Sequence, residues 1–151
     1  MATRHRAKTL TTSSTLKSPE AYVDTSALIA FLDKSDSFHF LFRRLFADPP
    51  QLVTTALVVA EGHGWFLRRF DQTRALQFLT FIEELKPLHV LPATPSSLTD
   101  AADIIRRFRD QDLTLVDALG LHVMSERDIA ACWSTDFHLG LTGATLVIHE
   151  H

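Results

Sequence analysis

From Ala21 to Ile148 the chain alternates short apolar runs with longer stretches whose apolar residues recur every three or four positions. That is the pattern of strands alternating with helices. Residues 21–23 read as a short strand, and Asp24-Thr25-Ser26 follows as a turn with N-cap chemistry. A helix over 27–32 comes next. A second helix lies within 37–47, where Phe38, Leu41, Phe42, Leu45 and Phe46 form one stripe and Pro49-Pro50 ends it. Residues 51–54 suit a second strand, with Thr54-Thr55 placed to cap a helix over 56–70. After Asp71 a helix over 73–85 carries Phe78, Phe81, Ile82 and Leu85 on one face, a surface suited to core or to a dimer interface. Residues 88–91 form a third strand, closed by Pro92, and Pro95 or Ser96 opens an amphipathic helix to about 109.

The segment from 112 to 140 organises the rest. Thr114 is a candidate N-cap with Asp117 three residues on, the acid position of a capping box. Mostly apolar residues run to Met124, and Ser125-Glu126-Arg127-Asp128 forms the polar exit. Residues 129–133 suit a strand buried on both faces, which delivers Ser134, Thr135 and Asp136 to its carboxyl end. A last strand is predicted over 145–148. Strands alternating with helices imply an α/β fold, a three-layer α/β/α sandwich around a central parallel sheet. In such sheets ligands bind at the carboxyl ends of the strands.

Composition narrows the class. The 151 residues fit one domain, with 46% hydrophobic and 22% charged residues. No apolar run is long enough to span a bilayer, so no membrane association is expected. A formal charge of -3 argues against attachment to nucleic acid by bulk charge alone. It leaves room for a nuclease whose acidic site offsets basic patches. Arginine doublets at 43–44, 68–69 and 106–107 suit phosphate contacts as readily as solvated helix faces. Cys132 is the single cysteine, read as a core residue; without an intrachain disulfide the chain fits a reducing, cytoplasmic location. Among eight histidines only His149 and His151 are spaced as a ligand pair, which gives zinc little support. The first nineteen residues hold Arg4, Arg6, Lys8 and Lys17, many Ser and Thr, and no acid. The expected organisation is a flexible basic leader over 1–20 and one domain over 21–151.

Four acids stand at telling places. Asp24 and Asp136 each follow a strand, Asp117 falls in a helix's first turn, and Glu61 has Leu57, Val58, Gly64 and Trp65 as its helical neighbours. Each has an ordinary structural explanation: turn or cap residues for the three aspartates, the partner of a buried arginine for Glu61. Taken together, carboxylates gathered at one end of a sheet repel one another, and a divalent cation relieves that repulsion. An all-oxygen set favours Mg²⁺ or Mn²⁺ over zinc. An acid on an apolar helix face is costly unless paired or bound to metal, so Glu61 is expected away from a solvated charged face. Gly62 and Gly64 weaken the same helix, which close helix packing or a local break would explain.

The blocks VDTSALIAFLD, VVAEGHG, DQDLTLVDALGLHVM and STDFHLG resemble the four motif blocks of PIN-domain ribonucleases, most like the VapC-type toxins of toxin–antitoxin pairs. The resemblance spans residues 22–148. Carried over by position, it implies an acidic metal site of Asp24, Glu61, Asp117 and Asp136. Ser26 and Thr135 would be polar supports, and Asp112 an additional nearby acid. It further implies metal-assisted hydrolysis of RNA phosphodiesters, a homodimer, and inhibition by a cognate antitoxin. Leu139 stands where relatives often carry Phe. A haloacid-dehalogenase pattern would need an acid where Ser26 stands, and no lysine is suitably placed after a late strand for a receiver domain. The alternatives that remain are a housekeeping RNA-processing nuclease with the same site and a non-cleaving PIN scaffold that binds RNA or protein.

Overall fold

A computed structural model describes residues 19–150. Five strands, β1 (Ala21–Val23), β2 (Leu52–Thr55), β3 (Leu88–Leu91), β4 (Ala131–Trp133) and β5 (Thr145–Leu146), form one sheet among the described residues. The order is β3-β2-β1-β4-β5, and every pairing is parallel. The helices are α1 (Thr25–Leu32), α2 (His39–Ala47), α3 (Ala56–Arg69), α4 (Gln72–Glu84), α5 (Pro95–Arg107) and α6 (Leu115–Glu126). The α/β/α sandwich expected from the sequence is therefore the observed architecture.

Strand alternation divides the core into two layers. Ala21, Val23, Leu52 and Trp133 join Leu28, Phe42, Phe46, Val58, Phe66 and Phe78 from α1 to α4 on one face. Tyr22, Val53 and Cys132 face the other way, onto Leu121, Val123 and Met124 of α6 with Ile104 and Ile105 of α5. The phenylalanine stripes are core. Phe46 meets Trp133 edge-on at 4.9 Å, and Phe31 lies 4.8 Å from Phe46 and 4.9 Å from Phe81. Of the two α3 glycines, Gly62 marks a close approach, since a Cβ there would overlap the ring of Phe78. Close packing, not a helix break, is what that residue serves; α3 runs through it unbroken.

Several boundaries differ from the sequence reading. The second strand is displaced by one residue to Leu52–Thr55, and β4 begins at Ala131 rather than 129. The predicted last strand ends at Leu146, and Val147–His149 turns into a 3-10 helix. Val147 is buried and Ile148 half-buried there, so they supply the apolar pattern without joining a ladder. The expected basic leader lies outside the described residues up to position 18. Near its end Glu20 accepts two bonds from the Arg127 guanidinium, at 2.7 and 3.3 Å. No helix among the described residues is long and apolar enough to cross a membrane.

Candidate active site

The sheet order places a topological switch point between β1 and β4, because the chain leaves β1 toward β2 on one side and reaches β4 on the other only later. At such a point the connections diverge and leave a crevice at the carboxyl ends of the strands. Asp24 and Ser134 are the residues just beyond the paired Val23 and Trp133. The Asp24 N–H donates to the Trp133 carbonyl at 3.0 Å, which holds the two strand ends in register.

Asp24 caps α1 through its backbone conformation, without a side-chain cap bond, so its carboxylate is available elsewhere. It is 5% exposed. The hydroxyls of Ser26 and Ser134 both donate to Asp24 Oδ2 at 2.9 Å. Each hydroxyl oxygen in turn accepts a backbone N–H, Ser26 from Thr135 at 3.0 Å and Ser134 from Asp136 at 2.9 Å. Two short relays therefore tie the loop after β4 to the carboxylate after β1. Burial pushes the Asp24 carboxyl up to about 6, against the lowering effect of the two serines, and the charge of Asp117 adds to the rise.

Asp117 occupies the third position of α6 because Thr114 caps that helix. The Asp117 N–H donates to Thr114 Oγ1 at 3.1 Å, and the Thr114 N–H donates to Asp117 Oδ2 at 3.2 Å, a complete capping box. The other carboxylate oxygen makes no part of that box. Asp117 is half-buried, and burial raises its pKa, with the Asp136 charge adding and the Thr114 bonds opposing. Structural cap and site acid are thus compatible roles for one side chain.

Asp136 begins a 3-10 turn over Phe137–Gly140 and accepts the His138 N–H at 3.0 Å. His138 Nδ1 lies 2.8 Å from the same oxygen, Asp136 Oδ1. Ligand atoms of Asp117, Asp136 and His138 all fall within 4.8 Å of one another. Their geometry suits a single cation, and two carboxylates with one imidazole favour a hard or borderline divalent metal.

Three of the four sequence-predicted acids, Asp24, Asp117 and Asp136, lie close together: the Asp117 charge raises the pKa of Asp24, and the Asp136 charge raises that of Asp117. Glu61 is not brought into that group and is exposed on α3, which corrects the expectation that it avoids a solvated face. Its apolar helical neighbours divide between two clusters: Val58 and Trp65 pack in the α1–α4 layer, while Leu57 packs against the cluster of Ala101, Ala118 and Leu119. Asp112 is exposed in the loop before α6, with φ of 51°. Thr135 is half-buried and enters through its backbone N–H.

Two residues of the site carry no role in the sequence reading. Ser134, fully buried, touches Asp24, and His138 completes the ligand group. The available signal for Ser134 is its place just beyond a strand; adjacency of β1 and β4 is needed to use it. For His138 the signal is its position two residues after Asp136.

A cavity of about 480 Å³ lies elsewhere, lined by Leu32, Asp33, Phe66, Phe70, Arg74 and Phe78, with none of the clustered acids in its wall.

A family model described as PIN domain matches residues 21–140. Among solved structures, the chain is similar to the Mycobacterium tuberculosis toxin VapC20, described as cleaving the sarcin-ricin loop. That match has a TM-score of 0.76 and 23% identity, covering 83% of this chain and 96% of the other. It is also similar to PAE2754 from Pyrobaculum aerophilum, with a TM-score of 0.61 and 20% identity over 87% of this chain and 93% of that one. At these identities both likenesses speak to the fold. No curated protein sequence matches the chain.

Proposed function

The chain belongs to the PIN domain family, and on that premise we propose that it is a metal-dependent ribonuclease, the toxin of a type II toxin–antitoxin pair. The observation that carries the reading is the convergence of Asp24, Asp117, Asp136 and His138 at the switch point of a parallel sheet. Likeness to a toxin that cleaves the sarcin-ricin loop supports RNA as the substrate class. The proposed nuclease domain extends over residues 21–151.

The residues present fit a divalent cation. Asp117 and Asp136 would hold it with His138, and Asp24 would contribute the neighbouring carboxylate, its pKa raised by burial with the Asp117 charge adding. Glu61 is the proposed outer acid, since Leu57, one turn earlier on α3, packs against a cluster that includes Ala118 and Leu119, the residues that follow Asp117. When bound, Mg²⁺ or Mn²⁺ would supply polarisation of the phosphodiester and would lower the pKa of a water. The protein's own part is placement. Ser26 and Ser134 fix the Asp24 rotamer, Thr114 fixes Asp117, and the 3-10 turn fixes Asp136 against His138. No side-chain nucleophile is required. A homodimer and a cognate antitoxin, in the cytoplasm, belong to the same reading.

The test is incubation of total RNA with purified protein in Mg²⁺ or Mn²⁺ and in EDTA, beside Asp117→Asn. Discrete fragments that require both metal and Asp117 support the nuclease. Intact RNA after exposure to folded, metal-loaded, antitoxin-free protein overturns it in favour of a binding scaffold. Growth arrest on expression, relieved by Asp117→Asn, separates a toxin from a housekeeping nuclease of the same chemistry.

A further inference from the structure

Phe137 sits between two residues of the acid cluster, yet its side chain is 66% exposed. Its backbone is not loose. Asp136 caps the 3-10 turn, the Leu139 N–H donates to the Asp136 carbonyl at 3.1 Å, and the Leu139 side chain is fully buried in the core. The ring is stacked on His138, with centroids 4.2 Å apart and planes 28° from parallel. His138 is in turn held to Asp136 at 2.8 Å. An exposed aromatic ring is thus presented rigidly, within one nucleotide's reach of the acids. Beyond it runs an open groove of about 380 Å³, from Phe137 past Gly140 and Leu141 to Thr145 and His149.

We propose that Phe137 is a substrate-positioning residue: an unpaired nucleobase of the RNA stacks on it and lies in the groove toward His149. This rests on the ribonuclease reading. The chemistry is general, because every base has a π-face and aromatic side chains hold single-stranded RNA by stacking. The apolar groove wall of Leu141 and Leu146 accepts the base face, while Thr145 and His149 offer polar edges. A duplex keeps its bases paired and stacked on one another, so this platform selects unpaired RNA next to the scissile bond.

The experiment uses full-length protein and single-stranded decaribonucleotides, each carrying 2-aminopurine at one position, followed by steady-state cleavage in Mn²⁺ and by fluorescence on mixing. Phe137→Ala is expected to raise KM by roughly five- to a hundredfold with a smaller change in kcat. Quenching at one position, present in the wild type, disappears in that variant. Phe137→Trp restores both, which a general structural role would not do. At 66% exposure the alanine variant keeps its fold, checked by its melting temperature. If the wild type cleaves and Phe137→Ala cleaves with the same KM, the inference fails while the nuclease stands. It also fails if the variant changes only the sedimentation of the protein, since Phe137 then serves contact between copies. If the wild type neither binds nor cuts RNA, the nuclease reading fails first and takes the inference with it.

Discussion

The hydroxyl oxygen of Tyr22 lies 2.7 Å from the point where a Cβ on Gly120 would stand, with two carbons of the ring at 2.9 Å. This contact sets how closely α6 approaches β1, and Asp117 lies one turn before it on the same helix. Gly120→Ala therefore overpacks the site's floor, at a cost of about 1–3 kcal/mol, partly offset by about 1 kcal/mol of helix propensity. A lowered melting temperature and reduced cleavage are expected together. Tyr22→Phe in the same chain recovers only part of the loss, because the ring carbons remain. A Gly120→Ala protein as stable and active as the wild type would show that the helix moves freely there.

Asp24 makes stability depend on pH in an unusual direction for a carboxylate. Burial first, with the Asp117 charge adding, holds its folded pKa near 6, above the ordinary 3.8. The folded state binds this proton more tightly than the unfolded state, so the contribution is most favourable below about pH 4 and is lost as pH rises to about 6. That gap corresponds to roughly 3 kcal/mol. In EDTA, Asp24→Asn is expected to gain stability relative to the wild type across this window and to hold the gain above it. Urea melts at pH 4, 5, 6 and 7 measure it; a difference between the two proteins that stays constant refutes the assignment. Divalent cation at pH 7 should raise the melting temperature of the wild type more than that of the variant.

The fold was legible because its signals are local. Apolar runs bounded by Pro49-Pro50 and Pro92, and caps such as Thr55, Asp71 and Thr114, require no knowledge of distant contacts. The Asp117 capping box was legible for the same reason. What stayed hidden depends on pairs far apart in sequence. Ser134 meets Asp24 across 110 positions, and Ser26 meets the Thr135 N–H across 109. Only the parallel pairing of β1 with β4 brings them together. The exposure of Glu61 was not legible because helical neighbours three and four residues away do not define one burial face when a helix packs on two layers at once. The 3-10 turn at Val147–His149 was hidden because burial without a ladder leaves the same apolar signature as a strand.

Ser134 and Thr135 separate by role. The Ser134 hydroxyl donates to Asp24 and accepts the Asp136 N–H, all within a buried site. Ser134→Ala leaves a buried carboxylate short of a donor and a backbone N–H without its acceptor, a loss of about 1–3 kcal/mol. It is also expected to reduce cleavage through displacement of Asp136. Thr135 gives only its backbone N–H to Ser26, so Thr135→Ala keeps that bond and should shift stability by about 0.5 kcal/mol or less. Thermal melts and cleavage rates of the two variants test the ranking. Equal effects would mean that the Thr135 hydroxyl matters as much as the relay through Ser134.

Glu61 offers the sharpest test of how the acids divide their work. It is exposed on α3, so Glu61→Gln should leave stability within about 0.5 kcal/mol of the wild type. Leu57 precedes it by one turn and packs against the cluster of Ala101, Ala118 and Leu119, so this part of α3 lies beside α5 and α6. On the proposed reading Glu61 would orient or supplement the metal's inner ligands rather than replace one, and losing such a group would weaken metal affinity by about tenfold or more. Glu61→Gln is therefore expected to raise the Mn²⁺ concentration that half-saturates cleavage by about tenfold, with much of the rate recovered at high Mn²⁺. Asp117→Asn should behave differently: its side-chain oxygen can still cap α6, so the fold survives, but no Mn²⁺ concentration restores the rate. A Mn²⁺ titration of both variants and the wild type distinguishes the two roles. If Glu61→Gln titrates like the wild type, Glu61 has no part in the site, and the acids proposed to hold the cation reduce to Asp24, Asp117 and Asp136.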